Sequence, residues 1–442
     1  MKYKFLNRTI LRAVSPKFYK ALKTANINEL NSFDNKYDAQ KKLSNLLKHA
    51  YTNVPYYKEI LNDYFLEKKS FNEIPHLTKS IIKNNFNKLK AANLPKNRFK
   101  NNSTSGSTGE AMFFYSDNNT DFFRHAVAYR ADAWTGWVFG EPRVKIWGAL
   151  SDLSKEKSLK KKLVNSSLLF NSTLLSSYDM KDNDMIKYID FINKNKPSLI
   201  VGYPSSLDLF AKFVQNYNAN IWRPKGIITS GETLYDFQRK SIEKTFNTKV
   251  LNRYGCRDVG LIASECEKQN GLHISSDHVL VEVVDEYGES CKPGELGEIL
   301  VTDLDNYVFP FIRYKIGDLG VLSDRTCSCG RAFPLLERVE GRTFDLIIGS
   351  NGNRVPGNFF TLLRNKIKGI NKFQLYQRNI GEIKLLLETN KLFDESQKVL
   401  LISKLKEKLG IDTKINIEIV DSIPVTSSGK HRWIISEVSP FN

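Results

Sequence analysis

The most informative part of the 442-residue sequence is Ser103-Thr104-Ser105-Gly106-Ser107-Thr108-Gly109-Glu110. Its small side chains and two glycines allow a tight turn whose backbone N–H groups point inward, and its hydroxyl groups add further hydrogen-bond donors. Such a concave loop suits the oxygens of a phosphate group. It is not a Walker A loop, because the ending Gly-Lys-Ser/Thr is absent. On this stretch alone, a flexible linker rich in serine and glycine is an equally good interpretation.

Two polar loops downstream follow apolar runs. They are Thr229-Ser230-Gly231-Glu232 and, after Val250-Leu251, Tyr254-Gly255-Cys256-Arg257-Asp258. A tyrosine and a carboxylate just past strand ends are suited to stack on a purine and to hold Mg²⁺, because ligands of open α/β sheets gather at those ends. Each loop taken singly is also compatible with a plain turn.

Two later positions would complete a nucleotide site. The first is Asp318, at the end of Phe311-Ile312-Arg313-Tyr314-Lys315-Ile316-Gly317-Asp318, whose carboxylate is suited to accept both hydroxyls of a ribose. The second is Lys430, at the end of Pro424-Val425-Thr426-Ser427-Ser428-Gly429-Lys430. A lysine on a glycine-containing loop reaches a phosphate as a mobile point charge. A solvated lysine near the chain end is the alternative.

The apolar pattern predicts two domains of α/β class. Helices alternate with short apolar strands between about residues 113 and 260, which is typical of layers with largely parallel strands. Strand patterns at 279–284 and 297–302 then predict a barrel-like portion. We predict a large N-terminal domain over residues 1–341 and a small α+β domain over residues 342–442, the latter of ordinary small-domain size. Within it we expect strands at 373–376, 382–387 and 415–420 and a helix at 395–409.

The charge balance is strongly basic, with 66 Lys and Arg against 48 Asp and Glu and a formal net charge of +18. Such a surface attracts polyanions, but no nucleic-acid-binding motif is recognisable, so nucleic acid is not an expected partner. The excess of lysine is also explained by a biased genome composition. No apolar run approaches the roughly 20 residues of a membrane span, and no secretory signal is recognisable, so a cytoplasmic location is expected. Weak association with an anionic membrane surface stays open; it would involve Lys2, Lys4, Arg8, Arg12, Lys17 and Lys20.

In their order along the chain, these loops resemble those of the adenylate-forming superfamily of acyl-CoA synthetases, luciferases and peptide-synthetase adenylation domains. The resemblance is greatest to the branch of phenylacetate–CoA ligases and CapK-like capsule-biosynthesis proteins. It extends from Tyr51-Thr52-Asn53-Val54-Pro55-Tyr56-Tyr57 to Lys430. Five motifs in one order are far more specific than any single motif. The resemblance implies an acyl-CoA synthetase-like fold with a mobile C-terminal domain, and ATP and Mg²⁺ as ligands.

The resemblance also implies roles for individual residues. Phosphates would be bound by Ser103, Thr104, Ser105, Gly106, Ser107, Thr108 and Gly109; the adenine and acyl pocket would include Ser230, Gly231, Glu232, Tyr254 and Gly255; Asp258 would bind Mg²⁺, Asp318 would bind ribose, Arg342 would lie at the domain hinge, and Lys430 would bridge carboxylate and phosphate. The sequence departs from the family where Arg257 replaces a threonine and where Asp258 replaces a glutamate. Arg257 is therefore a candidate to bind an anionic substrate.

A metal site is predicted by Cys266, His273, Cys327 and Cys329. Three thiols and one imidazole form a closed tetrahedral set of the structural Zn²⁺ kind, and cysteine pairs in a cytoplasmic protein favour a metal over a disulfide. A similar pattern occurs in the phenylacetate–CoA ligase branch. Unrelated buried thiols are the alternative. Cys256 and Cys291 fit no ligand pattern, and we found no partner for His278 or the other histidines.

The function expected is therefore ATP-dependent formation of an acyl-AMP from a small carboxylate, followed by transfer of the acyl group. The acceptor is either CoA or an amine or hydroxyl, for example on a surface polysaccharide. A non-catalytic nucleotide-binding protein on the same fold is the competing class. The sequence does not identify the acid or the oligomeric state; aromatic residues such as Trp134, Trp137, Phe139, Trp147 and Tyr203 are candidate pocket walls and equally candidate core residues.

Overall fold

The structure is a computed structural model that describes residues 11–12, 15–29, 32–62, 64, 70–93, 99–104, 112–147, 171–177, 180–342, 346–356, 359–360, 363, 366–423 and 432–438. The chain divides into two compact units. The larger consists of Met1–Ile316 with Gly320–Arg338, and the smaller of Val339–Asn442 with Gly317–Leu319. The predicted boundary after residue 341 stays a prediction.

The helices are α1 (Pro16–Asn28), α2 (Ser32–Asn53), α3 (Pro55–Ile60), α4 (Lys79–Asn84), α5 (Asn118–Ala133), α6 (Asp182–Asn195), α7 (Pro204–Asn216), α8 (Asp236–Phe246) and α9 (Glu395–Leu409), with a short 3₁₀ helix at Phe71–Glu73. The strands are β1 (Phe99–Ser103), β2 (Phe113–Asp117), β3 (Arg143–Trp147), β4 (Ser172–Ser176), β5 (Leu199–Gly202), β6 (Gly226–Ser230), β7 (Val250–Cys256), β8 (Gly260–Glu265), β9 (Leu272–Ile274), β10 (Val279–Val284), β11 (Leu296–Asp303), β12 (Tyr314–Ser323), β13 (Leu335–Arg342), β14 (Leu346–Ile348), β15 (Arg354–Pro356), β16 (Ile370–Gln377), β17 (Glu382–Thr389), β18 (Lys414–Ile419) and β19 (Ile434–Ser436).

An eleven-stranded sheet in the order β10-β11-β12-β13-β9-β8-β7-β6-β5-β3-β4 organises the larger unit. Strands β4, β3, β5, β6 and β7 run parallel, and β8 then pairs antiparallel with β7. Every residue of β5 is buried, as expected of a parallel strand covered on both faces. The strands expected to form a barrel-like portion, β10 and β11, are hydrogen-bonded into this same sheet.

Helices cover both faces of the parallel strands. Leu199 and Val201 of β5 pack in one apolar cluster with residues of α1 and α5. Ile200, between them, packs in a second cluster with residues of α6, α7 and α8. Because successive side chains of a strand point to opposite faces, this division places one helical layer on each side of the sheet. The predicted α/β class is confirmed.

Helix α1 is bound to positions far along the chain. The backbone carbonyl of Ala25 accepts a hydrogen bond from Arg130 Nη1 at 2.7 Å. Arg130 in turn forms a buried, two-point ion pair with Asp277, at 2.7 and 3.0 Å. Just after the helix, Glu29 Oε1 lies 2.7 Å from Arg331 Nε, 302 positions away in sequence. The N-terminal part of the unit is therefore completed by residues from its C-terminal part.

The smaller unit contains the four-stranded sheet β18-β17-β16-β19 and helix α9. Helix α9 begins at Glu395 because Asp394 accepts the backbone N–H of Gln397 at its amino end. Leu401, Leu405 and Leu409 are buried along one face at helical spacing. The strands and the helix expected between residues 373 and 420 are confirmed. Among the described residues, no helix is both long and apolar enough to cross a membrane.

Candidate functional site

The loop after β6 begins at the carboxyl edge of the parallel strands. Ser230 is the last residue of β6, and Gly231 follows with φ of +85°, a left-handed conformation that favours glycine. Glu232 then directs Oε2 to the backbone N–H of Ser205, at 3.1 Å, in the first turn of α7. A carboxylate is stabilised there by the amino end of the helix. The predicted loop Thr229-Ser230-Gly231-Glu232 therefore lies at the carboxyl edge of the parallel strands, as expected.

The Tyr254 motif has a different local structure from the one expected. Tyr254 pairs with Ala263 of β8, so it lies inside β7 and not past its end; that expectation was wrong. The strand continues because Gly255 occupies a register shift in the pairing. A Cβ atom at Gly255 would lie 2.4 Å from the carbonyl oxygen of Gly260, so only glycine fits this close approach. Only Arg257, Asp258 and Val259 remain for the turn into β8.

Asp258 lies at this turn and is 4% exposed. The hydroxyl of Tyr314 donates a hydrogen bond to Asp258 Oδ2 at 2.9 Å. The backbone carbonyl of Asp258 accepts one from Arg124 Nη2 at 2.6 Å. Both partners come from distant elements, β12 and α5. A buried carboxylate with one oxygen directed by a tyrosine is a suitable ligand for a hard cation such as Mg²⁺.

The ends of the Ser/Gly-rich loop are fixed close to Asp258. The N–H of Thr104 donates to the carbonyl of Met112 at 2.9 Å, and the N–H of Met112 donates to Thr104 Oγ1 at 3.0 Å. Met112 Sδ lies 3.9 Å from the same Tyr314 hydroxyl that contacts Asp258. Arg257 Nη1 lies 3.4 Å from the Ser103 carbonyl. The predicted residues Ser105, Gly106, Ser107, Thr108 and Gly109 lie outside the described residues, as does Glu110.

The remaining predicted site residues are Asp318, Arg342 and Lys430. Asp318 lies within β12, half-buried, and not in a loop. Arg342 is the last residue of β13, and its side chain lies outside the described residues. Lys430 also lies outside them.

The prediction missed a buried cluster behind the Asp258 turn, and the view that His278 has no partner was wrong. His278 Nε2 lies 2.7 Å from the carbonyl oxygen of Val259, and Nδ1 lies 2.7 Å from Asp305 Oδ2. Burial lowers the pKa of His278, but the hydrogen bond to Asp305 and the negative charges of Asp303 and Asp305 outweigh it, so the pKa is raised. In the sequence, the only indication of this cluster was the spacing of the two aspartates in Asp303-Leu304-Asp305.

His278, Asp303 and Asp305 also place one ligand atom each within 4.8 Å of the others. Both ring nitrogens of His278 face oxygen acceptors, so both carry hydrogen in the protonated ring. Arg124 pairs with Asp303 at 2.5 Å and Lys42 with Asp305 at 2.8 Å. The two carboxylates are thus already neutralised by protein cations. These contacts favour an ion-pair cluster over a metal site.

The predicted cysteine–histidine cluster is assembled between β8, β9 and the turn before β13. The ligand atoms of Cys266, His273, Cys327 and Cys329 all lie within 4.8 Å of one another. Cys266 Sγ lies 3.7 Å from Cys327 Sγ, and Cys329 Sγ lies 3.3 Å from His273 Nε2. A tetrahedral site with Zn–S bonds of about 2.3 Å has S–S edges of about 3.8 Å. The donor set and its spacing therefore fit Zn²⁺.

The surroundings of the cluster favour the same chemistry. His273 Nδ1 lies 3.4 Å from the Phe333 carbonyl, and donating there leaves Nε2 as a free lone pair toward the thiols. Backbone N–H groups of Lys268 and Arg331 each donate to a cluster sulfur at 3.4 Å. Burial raises the pKa of the Cys266 thiol to about 12 and lowers the pKa of His273. A divalent cation would supply the positive charge that buried thiolates need.

A cavity of about 420 Å³ opens at the opposite edge of the sheet, where β6 and β7 begin. It is about 13 Å, the length of β6, from the carboxyl edge. It is lined by Trp134, Thr135, Arg223, Pro224, Lys225, Gly226, Thr248, Lys249, Leu251 and Glu267, so the candidate site residues do not line it.

The aromatic residues considered as pocket walls divide into two groups. Trp134 and Trp137 are buried in the core cluster beside α5, with Phe139 packed against it. Trp147 and Tyr203 stack at 4.1 Å between ring centroids, where β3 and β5 end. Only this second pair lies at the carboxyl edge.

The chain is similar to known proteins both in its C-terminal part and along most of its length. Residues 347–437 match the family model of the CapK C-terminal domain. Protein CapK of Staphylococcus aureus is 28% identical over 403 residues, covering 87% of this chain and 86% of that protein. Phenylacetate-coenzyme A ligase of Thermus thermophilus is 24% identical over 435 residues, covering 90% and 95%. A crystal structure of 2-hydroxyisobutyryl-CoA ligase superposes with a TM-score of 0.74 and 18% identity, covering 93% and 91%.

The fold is the α/β fold of the adenylate-forming superfamily, and the chain is similar along most of its length to a coenzyme A ligase. The similarities to CapK and to the phenylacetate–CoA ligases are to the branch that the motifs indicated. The resemblance drawn from the motifs is confirmed.

Proposed function

We propose that this enzyme activates a carboxylate with ATP to an acyl-AMP and pyrophosphate, and then transfers the acyl group to the thiol of CoA. The observation that carries the proposal is the contact series from Thr104 and Met112 through Tyr314 to Asp258. It holds both ends of a hydroxyl- and glycine-rich loop beside a buried carboxylate. That combination suits a nucleotide triphosphate with its metal ion.

In the first step, an oxygen of the substrate carboxylate attacks the α-phosphorus of ATP. The bond from this phosphorus to the bridging oxygen breaks, and pyrophosphate leaves with the electron pair. The residues of the chain orient the two anions and compensate the charge that builds on the phosphate oxygens. The loop of residues 103–109 donates hydrogen bonds, and Lys430 supplies a cation. Bound at Asp258, Mg²⁺ would neutralise phosphate charge.

The remaining residues position the nucleotide and the acid. Residues 230–232 and Tyr254 with Gly255 border the adenine and the acyl group, and Asp318 accepts the ribose hydroxyls. Arg257 binds an anionic group of the nucleotide or substrate. Arg342 belongs to the segment about which the small domain moves between the two steps. The cluster of Cys266, His273, Cys327 and Cys329 would hold a structural Zn²⁺.

A second acceptor class is supported by the match of residues 347–437 to the CapK C-terminal domain. In this version an amine or hydroxyl, such as one on a surface polysaccharide, attacks the acyl carbon of the adenylate and AMP leaves. The first half-reaction is the same in both versions. They differ only in the nucleophile.

The test is ATP–pyrophosphate exchange with pooled carboxylic acids, followed by mass spectrometry of the product formed with ATP, CoA and a mixed library of acids and amines. Exchange without an acyl-CoA product, but with an amide or ester, would favour the second acceptor. Absence of exchange with every acid, despite measurable ATP binding, would refute the enzyme proposal and favour the non-catalytic alternative.

The role of Lys430 is tested by Lys430→Ala, which we expect to lower exchange by about 10²–10³-fold, the effect of removing one electrostatic donor. Lys414→Ala is the matched control, because Lys414 is an exposed lysine of the same unit paired with Glu382. Exchange at the full rate in Lys430→Ala would remove this lysine from the mechanism.

A further inference from the structure

We propose that Arg124, together with Asp303 and His278, is a positioning group that sets the direction of the Asp258 carboxylate toward the metal–nucleotide complex. This inference rests on the proposed function in one respect, the assignment of Asp258 as the Mg²⁺ ligand. None of the three residues belongs to a recognised motif loop of the sequence. They act on the backbone of the Asp258 turn and not on the substrate.

Arg124 binds the turn through a single nitrogen. Nη2 carries two hydrogens; it lies 2.6 Å from the Asp258 carbonyl oxygen and 2.5 Å from Asp303 Oδ2. The Asp303 side chain is fully buried and that of Arg124 is 10% exposed. The carboxylate therefore fixes the plane of the guanidinium, and the guanidinium fixes the carbonyl. A water molecule in the place of Arg124 could rotate, so it would not fix the direction of the Asp258 carbonyl group.

His278 holds the next carbonyl of the same turn. Its Nε2–H donates to the oxygen of Val259 at 2.7 Å, while Nδ1–H is directed at Asp305. Two successive peptide planes, those that follow Asp258 and Val259, are thus each fixed from a different element. The Cα atom of Asp258 lies in the plane of the first of these peptide units, so fixing that plane fixes the position of this atom and the axis about which its Cα–Cβ bond can rotate. The Tyr314 hydroxyl then selects one orientation of the carboxylate.

The shape of the turn is adapted to Arg124. Gly260 has φ of +87°, and a Cβ atom there would lie 3.1 Å from Arg124 Cγ. Its absence lets the aliphatic part of the arginine lie against the turn. On the same helix, α5, Thr120 Oγ1 donates to the Asp305 carbonyl at 3.1 Å. Helix α5 follows β2, the strand that leaves the Ser/Gly-rich loop, so one rigid element relates that loop to the Asp258 turn.

A purely structural role for the ion pair is the alternative, and the chain offers a matched control. Arg130 and Asp277 form a second buried arginine–aspartate pair, whose arginine lies six residues later on α5. It binds the Ala25 carbonyl of α1 and not the Asp258 turn. If both pairs only stabilise the fold, conservative replacement of either should affect the enzyme alike.

The experiment compares Arg124→Lys, Asp303→Asn and His278→Gln with Arg130→Lys and Asp277→Asn in the full chain, below the unfolding temperature of each. It measures the Mg²⁺ concentration for half-maximal ATP–pyrophosphate exchange, with kcat and the KM for the acid. We expect the first three to raise the Mg²⁺ requirement by about 10-fold or more, as for residues that orient a metal ligand. The KM for the acid and the Mg²⁺ requirement of the control pair should stay unchanged.

Mn²⁺ binding in the presence of ATP, measured by electron paramagnetic resonance, gives a readout that does not need catalysis. Weaker Mn²⁺ binding in the three variants but not in the controls supports positioning. Equal Mn²⁺ affinity in the folded variants and the wild-type protein would overturn it. If Asp258→Asn binds Mn²⁺ normally, the assignment of Asp258 fails and the inference fails with it. Absence of wild-type exchange with normal Mn²⁺–ATP binding would count against the proposed enzyme activity only.

Discussion

Strand β8 separates two polar sites that are held together in different ways. The Asp258 turn precedes its first residue, Gly260, and is fixed by Arg124, His278 and Tyr314 from three separate elements. Cys266 follows its last residue and belongs to a cluster of three thiols and an imidazole. Behind the first site, the carboxylates of Asp303 and Asp305 are compensated by Arg124 and Lys42. The second brings together three thiols and an imidazole, a donor set that suits an added divalent cation. Changes at the Asp258 turn should therefore lower the catalytic rate, and changes at the cysteine–histidine cluster should lower the free energy of unfolding.

The largest effect is expected when the cysteine–histidine cluster is broken. Cys327→Ser should abolish the proposed zinc binding and lower the free energy of unfolding by about 4 kcal/mol or more, because loss of a structural metal is among the most destabilising changes. Below its unfolding temperature the variant should still catalyse exchange. Metal analysis and denaturant unfolding measure both effects. Cys291→Ser is the control, since Cys291 lies outside the cluster; full zinc content in Cys327→Ser would contradict the assignment.

Asp258→Asn should produce the opposite pattern. The amide keeps an acceptor for the Tyr314 hydroxyl but loses the charge that binds Mg²⁺. We expect exchange to fall by about 10²–10³-fold, as for other single electrostatic groups at a reaction centre, with normal zinc content and a nearly unchanged unfolding temperature. Wild-type exchange rates in this variant would show that the turn is not the metal site.

A smaller effect is expected from Tyr314→Phe. The change removes a hydrogen bond to a charged group, worth about 1.5 kcal/mol or more, so exchange should fall by about 10-fold. Tyr57→Phe is the matched control, because the buried Tyr57 hydroxyl donates to the Pro310 carbonyl away from the turn. Both variants should lose some stability, but only Tyr314→Phe should lose activity; equal activity in the two would contradict the role of Tyr314.

The smallest effect concerns pH. The pKa of His278 is raised in the folded protein, so protonation favours folding. Its contribution is fully present below the unfolded pKa near 6.5 and is lost as the pH rises through the folded pKa, by at most about 1.4 kcal/mol per pH unit. Urea unfolding of the wild-type protein and His278→Gln between pH 6 and 9 measures this. An identical pH dependence in the two proteins would show that His278 does not titrate in this range.

The two sites also differ in how far the sequence predicts them. Cys266, His273, Cys327 and Cys329 belong to residue types that are rare and chemically specific, so their pairing was visible without the structure. The partners of Asp258 were not, because Arg124 lies 134 positions before it and Tyr314 lies 56 after it. Arginine and tyrosine occur throughout the chain for many reasons. Only the fold selects which of them meet a given carboxylate.

Local structure could be predicted from the sequence where the apolar residues of a segment recur with a single clear spacing. Helix α9 has the predicted bounds because its buried leucines recur at helical spacing and Asp394 fixes its start. Tyr254 was misplaced because the continuation of β7 depends on register with β8 and on the contact between Gly255 and Gly260. A glycine in the sequence indicates a turn or a close approach without distinguishing them. Pairing with the neighbouring strand determines whether the glycine forms a turn or a close approach.

The contact between Glu29 and Arg331 has a consequence for synthesis of the protein. The two residues are 302 positions apart, and a ribosome that adds about 5–20 residues per second needs roughly 15 to 60 s to cover that distance. Glu29, just after helix α1, therefore emerges long before Arg331 exists. The apolar face of the helix can pack on α5 earlier, through the contacts of Phe18 with Phe122 and Tyr129, whereas the Glu29 end stays exposed without Arg331 for the whole interval. Slower elongation should lengthen this exposure, and fusion partners placed before residue 1 should change the yield of folded enzyme.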